Sequence, residues 1–285
     1  MPMTATSHGT RARPTVVSVA FAGLLASSSP AQQPSSTGPE SRDLAKQLSN
    51  PLASLVSVPF QFNWEQNVGP SKLTRFVLNV QPVMPFTVNE RVNLIVRLIA
   101  PFISQPPLAT GGTATFGMGD ITTSVFFAPS TPGKLIWGAG PVIVLPSTSD
   151  PALGSGKWSL GPTIVALKQT GEVSFGALWN QTWSFAGDEN RPDVNQMFLQ
   201  PFLSYQATHS LTLTVQSEMT ANWNAPNDDD TWTIPINVVA AKLATFGPFP
   251  ASYQAGFGVF PVHPDIGPTW KLRAAIVLLF PRARR

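Results

Sequence analysis

From Ala53 onward the chain keeps returning to a period of two, apolar residues at every second position, and no helical period interrupts it. Val56, Val58, Phe60, Phe62 and Trp64 alternate with Ser57, Pro59, Gln61, Asn63 and Glu65. Phe76, Leu78, Val80, Pro82 and Met84 alternate with Arg75, Val77, Asn79, Gln81 and Val83, and the same holds for Val92 to Ala100 against Arg91 to Ile99. Successive side chains of a strand point to opposite faces, so each run carries one apolar and one more polar face. The pattern predicts twelve strands, over 53–66, 72–86, 90–103, 118–128, 134–146, 158–169, 172–185, 194–207, 210–223, 230–242, 250–261 and 268–280. Globular strands average about five or six residues, whereas a tilted strand needs about 9 to 11 to cross a bilayer. The expected fold is therefore all-β, a twelve-stranded antiparallel transmembrane β-barrel over 53–281, because only a closed barrel lets strands cross lipid without an unpaired edge.

The connections sort into two kinds. Those after even-numbered strands are brief, as in "TVN", "TG" and "HS", while "ISQPPLATGGTATFG", "PSTSDPALGSGK", "AGDENRPDV" and "NAPNDDD" follow odd-numbered ones. Short turns at one end and long loops at the other are the pattern of a bacterial outer-membrane barrel, with both termini in the periplasm. Tryptophan placement agrees. Trp64, Trp158, Trp183, Trp223, Trp232 and Trp270, six of the eight Trp, fall at the long-loop end, opposite Phe86, Phe127, Trp137, Phe175, Tyr205, Tyr253 and Phe280. Amphipathic rings favour both membrane interfaces, whereas a soluble β-sandwich has no reason to sort them.

Ahead of the barrel, Arg11 and Arg13, the apolar "TVVSVAFAGLLASSS" and small residues at Ser29-Pro30-Ala31 read as a signal peptide over 1–31. A linker and short helix over 32–52 come next, the helix near 42–49 with Ser41 as N-cap, Leu44 and Leu48 on one face and Pro51 as stop. Removing the signal peptide leaves a net charge of 18 − 2 − 15 = +1, which offers no bulk attraction to nucleic acid. Only 12% of residues are charged and none is Cys, which excludes disulfides and thiolate chemistry. A basic tail occupies 282–285.

Prolines stand inside the predicted strands, as in "WGAGPVIVLP", "LGPTIVAL", "VQPVMPF", "LQPFLSY" and "TIPINVV". Proline cannot donate to a β-ladder, so these sites predict bulges or weakened pairing within otherwise continuous strands. Pro82, Pro141, Pro162 and Pro201 share the lipid-facing register, and Pro59, Pro101 and Pro235 do not.

The same register turns Glu65, Arg75, Arg91, Arg97, Asp120, Glu218, Lys271 and Arg273 toward the lumen, with Asn63, Asn79, Gln81, Asn93, Gln196, Gln200 and Asn237. Five cations against three anions bias a pore toward anionic solutes, unless the charges pair with one another across strands. Arg91 and Arg97, about 20 Å apart along one strand, can form a ladder but not one tight site. An enzyme is not indicated, because His209 and His263 sit in predicted connections, away from any strand-borne nucleophile. Nothing calls for a cofactor or metal: no phosphate-cradling glycine motif opens a helix, and Asp228, Asp229 and Asp230 read as a solvated acidic loop.

The stretches "LAKQLSNPLASLVSVPFQFNWEQNVG", "LNVQPVMPF", "GMGDITTSVFFAP", "WGAGPVIVLPST", "KWSLGPTIVALKQTG", "FLQPFLSY", "WTIPINVV" and the closing "VLLFP" resemble a bacterial family of outer-membrane transporters. That family is related to the barrels of meta-pathway phenol degradation, and some members carry the misapplied label neuromedin U. The resemblance spans roughly residues 44 to 281 and implies a barrel with a transport role in the bacterial outer membrane but no established substrate; the expected role is passive passage of small, anionic or aromatic, solutes through the lumen. It also implies outer-membrane lipid and the barrel assembly machinery as partners. Such barrels end on an aromatic residue, whereas here "PRARR" follows Phe280. The rival reading is a plugged structural or adhesive barrel acting through its long outer loops.

Overall fold

The computed structural model describes residues 39–53, 55–246 and 249–280. The expected signal peptide, the linker as far as residue 38 and the basic tail lie outside the described residues. The first element, α1, runs Pro39–Leu48 and so begins earlier than the Ser41 cap predicted. A proline is preset for the first helical position. The Ser49 hydroxyl closes the other end on the Ala45 carbonyl at 3.2 Å, two residues before Pro51.

Twelve strands follow. They are β1 Val56–Val68, β2 in two segments Leu73–Val80 and Val83–Thr87, β3 Val92–Gln105, and β4 in two segments Thr115–Met118 and Ile121–Pro129. Next come β5 Ile136–Leu145, β6 Lys157–Thr170, β7 Val173–Gly187 and β8 Asn195–Gln206. Last are β9 in two segments Leu211–Gln216 and Met219–Asn222, β10 Trp232–Phe246, β11 Phe249–Val262 and β12 Trp270–Phe280. Each pairs antiparallel with its sequence neighbours, and β12 returns to β1 from Val56↔Phe280 to Gln66↔Trp270, which closes the ring and removes every edge. The loop after β1, 69–72, is shorter than the odd-numbered pattern predicted.

Proline marks most departures from the ladder. Val80↔Ala100 and Val83↔Arg97 keep one register across Pro82, so β2 is a single strand with a gap where the N–H is missing. Both Gly119 and Asp120 stand opposite Pro101, a bulge that shifts the pairing of β4 on β3 by one residue. Pro141 faces Pro162 directly between β5 and β6, and the ladder from β4 to β5 skips that point. β9 breaks at 217–218, between Pro201 on β8 and Pro235 on β10, where the register against β11 also shifts.

The outer face is apolar and open. Trp64, Trp158, Trp183 and Trp223 are exposed at the long-loop end, as are Phe86, Phe127, Trp137, Phe175 and Tyr205 at the other. Trp232 packs edge-on to Trp223 at 5.6 Å between ring centroids. Apolar surface on this scale exceeds what water tolerates on a monomer and matches what lipid requires.

Inside, the short-turn end is filled. Leu52 reaches into a buried cluster of Ile95, Phe126, Ala128, Val165 and Leu178, while Leu44, Leu48 and Ala53 pack on Leu55, Leu243, Val277 and Leu279. Gln169 on β6 donates to the Lys46 carbonyl at 3.0 Å. The apolar stripe of α1 thus finds its partner on the inner wall of the barrel, a surface that exists only once the ring has closed.

Candidate functional site

Above this floor lies a cavity of about 510 Å³ whose walls come from β1, β2, β3 and β8 to β12. Its polar lining is the inward register of those strands. Glu65, Arg75, Arg97, Glu218, Lys271 and Arg273 all border it, as do Asn79, Gln81 and Gln200. Asn93 lies lower, beside Leu52, and Asn237 is buried in the wall with its amide donating to the Gln216 carbonyl. Gln196 is exposed.

Two of the eight charged residues expected in the lumen stand elsewhere. Arg91 sits in the exposed turn 88–91, because the Asn89 side-chain oxygen accepts from the N–H groups of Arg91 and Val92 at 2.9 Å and ends the turn there. It forms no ladder with Arg97. Asp120 belongs to the bulge of β4, and its Oδ2 accepts from the Ser155 N–H at 2.6 Å and the Ser155 hydroxyl at 2.8 Å, so it fastens the outer loop 146–156. Arg191, from the next outer loop, donates to the Pro151 carbonyl at 2.9 Å, to that of Ser155 at 3.3 Å and to that of Gly154. Asp228–Asp230 form one exposed 3-10 turn, held by Asn227 on Asp230 at 3.1 Å.

The remaining six fall into three groups. Arg75 and Glu65 pair between adjacent strands at 2.6 Å, a local neutralisation near the outer end. Glu218 reaches across a corner of the lumen to β12, three strands further round. Its Oε1 accepts from Arg273 Nη1 at 2.9 Å and its Oε2 from Nη2 at 2.6 Å, a two-pronged fork that Lys271 Nζ completes at 3.1 Å. The side chains of Lys271 and Arg273 are each 4% exposed and that of Glu218 is 20% exposed, so the triad is shielded but open on its carboxylate side. Gly258 on β11 makes the reach possible, because a Cβ there would lie 3.1 Å from Lys271 Cε and 2.3 Å from Asn237 Oδ1.

A second row supports the fork. Arg273 Nε donates to Asn63 Oδ1 at 2.8 Å. The Gln61 side-chain oxygen accepts from Gln81 Nε2 at 3.1 Å, and its amide nitrogen donates to Asn63 Oδ1 at 3.4 Å. Gln81 Oε1 in turn accepts from Arg97 Nη2 at 2.8 Å. Amides therefore link Arg97 on β3 to Arg273 on β12, and of the two cations only Arg273 holds a carboxylate. Gln61, absent from the residues expected in the lumen, shares the period of Asn63 and Glu65, and that shared period is the signal for its place here. Of the two histidines among the described residues, His209 lies in the turn 207–210, and His263 Nδ1 lies 2.8 Å from the Pro264 carbonyl in the loop 263–269, so neither borders the charged cavity.

Neither a scan against protein-family models nor a search of curated proteins gives a match. Solved structures do. An outer membrane channel from Pseudomonas putida F1 superposes with a TM-score of 0.60 at 15% identity, covering 80% of this chain and 96% of that one. The NanC porin superposes with a TM-score of 0.51 at 11% identity, covering 80% of this chain and 100% of that one. At these identities what is shared is the fold, a closed membrane-spanning barrel.

Proposed function

We propose that the chain is a bacterial outer-membrane channel that passes small solutes through its lumen and favours anions. One observation carries this reading: the charged cavity is bordered by Arg75, Arg97, Lys271 and Arg273 against Glu65 and Glu218, four cations to two anions, inside a ring whose outer face suits lipid. A lining with a net positive charge concentrates anions at the constriction. The likeness to channels and porins supports the same reading, and export by the predicted signal peptide followed by barrel assembly belongs with it. Aromatic solutes are a second class, for which Phe198 and Phe260 on the cavity wall offer contact.

The test is reversal potential in planar bilayers under a KCl gradient. Chloride preference is expected, and equal permeability or cation preference overturns the proposal. The plugged-barrel alternative draws on the filled short-turn end and on the outer loops clasped by Asp120 and Arg191. A channel that stays closed at every voltage, together with surface binding lost on trimming residues 104–117 or 224–229, would favour it.

A further inference from the structure

We infer that Arg273, Lys271 and Asn63 form a binding site for a solute carboxylate, and that Glu218 is the internal occupant that such a solute displaces. The inference rests on the channel reading and names its solute class, small organic acids.

The geometry is that of ligand recognition. A planar carboxylate sits on the fork of one guanidinium through two parallel hydrogen bonds, at 2.9 and 2.6 Å, with an ammonium at 3.1 Å on one oxygen. Bidentate guanidinium pairing is selective for carboxylate and similar planar oxyanions, and it is far stronger in a shielded site than at a wet surface. The fork is held rigidly, since Arg273 Nε is bonded to Asn63 and Lys271 Nζ lies 5.1 Å from the centre of the Phe260 ring. Both cations sit on a continuous strand, paired residue for residue: Arg273↔Asn63 and Lys271↔Glu65 on β1, Arg273↔Gly256 and Lys271↔Gly258 on β11.

Glu218 is built differently. It occupies the break in β9, where the ladder to β8 stops at Leu199↔Met219 and resumes at Phe202↔Gln216, and the ladder to β10 stops at Thr220↔Thr233 and resumes at Gln216↔Asn237. Pro201 and Pro235 flank that break and bring no N–H to it. What fastens the segment is Ser217, whose N–H donates to the Pro201 carbonyl at 3.1 Å and whose hydroxyl donates to that of Pro235. The anion thus rides on a segment where the ladders on both sides lapse, while its cations ride on a strand paired without interruption on both sides. Exchange costs little net charge, because one carboxylate replaces another on the same fork. It also leaves Arg97, whose one side-chain hydrogen bond among the described residues is to the Gln81 amide, as the next cationic contact for a solute moving off Arg273.

The experiment uses the full chain reconstituted in planar bilayers, with chloride current recorded while sodium acetate is added at constant ionic strength. Acetamide, the neutral isostere, is the control. Acetate is expected to reduce chloride current weakly in the wild type. In Glu218→Gln, whose amide cannot occupy the fork as an anion, half-block should fall to an acetate concentration about tenfold lower, the worth of one hydrogen bond to a charged group. Glu218→Asp, with a shorter reach, should shift the same way by less. Adding Arg273→Gln to Glu218→Gln should abolish the block. Identical acetate titrations in wild type and Glu218→Gln, block by acetamide, or block surviving loss of Arg273 would each overturn the inference. Line broadening of carbon-13 acetate on the detergent-solubilised protein reads the same site without conductance. Acetate bound by a protein that conducts nothing would sink the channel reading and keep the site, whereas a conducting protein with unchanged titrations would sink the site alone.

Discussion

Shortening Leu52 tests whether the N-terminal segment is a docked part of the barrel. Leu52 is 8% exposed, surrounded by Ile95, Phe126, Ala128, Val165 and Leu178, and its two methyl groups stand 3.1 and 3.2 Å from where a Cβ on Gly138 would be. The glycine is what leaves the socket open. Leu52→Ala removes most of that contact, and a buried Leu→Ala change costs about 2 to 5 kcal/mol. The segment has few other anchors: Leu44, Leu48 and Ala53 on the second cluster, and one side-chain bond from Gln169 to the Lys46 carbonyl. Local opening should therefore rise by roughly thirtyfold even at the lower bound of about 2 kcal/mol. The readout is hydrogen exchange in the folded protein at the Ala53 amide, which donates to the Asn50 carbonyl at 3.1 Å, with amides of β12 as an internal standard. Faster exchange at Ala53 with unchanged β12, accompanied by larger conductance, is expected. Unchanged exchange at Ala53 would refute the docking argument. So would equal acceleration in β12, since that places Leu52 in the global core instead of a detachable floor.

Three further outcomes follow from the same geometry. Glu65→Gln frees Arg75 from its 2.6 Å partner, adds one net positive charge to the lumen, and should raise the chloride-to-potassium permeability ratio a few-fold in bilayers, more at low salt than at high. Gly258→Val should overpack Asn237 and the Lys271 stem at a cost of about 1 to 3 kcal/mol, seen as a lower melting temperature with the barrel signature retained, and should loosen Lys271 from Glu218. At the outer rim, a hydrogen bond from Lys157, then one from Ser184, and then the Lys157 charge hold the Asp193 carboxyl below its ordinary value. A depressed carboxyl contributes stability above the ordinary aspartate value near 3.8 and loses it as pH falls through the folded value, so the loop 188–194 should loosen only in acid. Amide exchange in that loop should accelerate as pH falls through that range after correction for the intrinsic rate, and Asp193→Asn should remove the pH dependence.

The barrel was legible in the sequence because lipid imposes its demand at every second residue. Phe86, Trp137, Phe175 and Tyr205 announce the interface at one end and Trp64, Trp158, Trp183 and Trp223 at the other, with no knowledge of pairing. Inward identity was legible for the same reason, since a polar residue in the alternate register has only the lumen to face. Partnership was not. Whether Glu218 meets Arg273 depends on the tilt and stagger of β9 against β12, which no local pattern encodes, and the path of α1 depends on a wall it meets on β10 and β12, far along the chain. Asp120 was misdirected by a bulge: two residues opposite Pro101 break the period of two that placed it.

The prolines connect these two levels. Each removes one donor from a ladder, and in a closed ring no edge strand exists on which to hide that loss. The wall therefore absorbs it in different ways. At Pro82 the strand keeps register across a gap, at Pro101 and Pro235 it takes up an extra residue, and Pro141 and Pro162 stand opposite each other in an unbroken ladder, so that their losses fall on the flanking interfaces, β4 with β5 and β6 with β7, where pairing is interrupted. Between β8 and β10 the losses instead fall on either side of one strand, and β9 opens where Glu218 projects inward. A single proline would weaken one side of β9 and leave the other ladder to hold it. Two on opposite flanks release both sides together, so the backbone freedom an exchangeable carboxylate needs arises from the placement of Pro201 and Pro235 on strands that never touch.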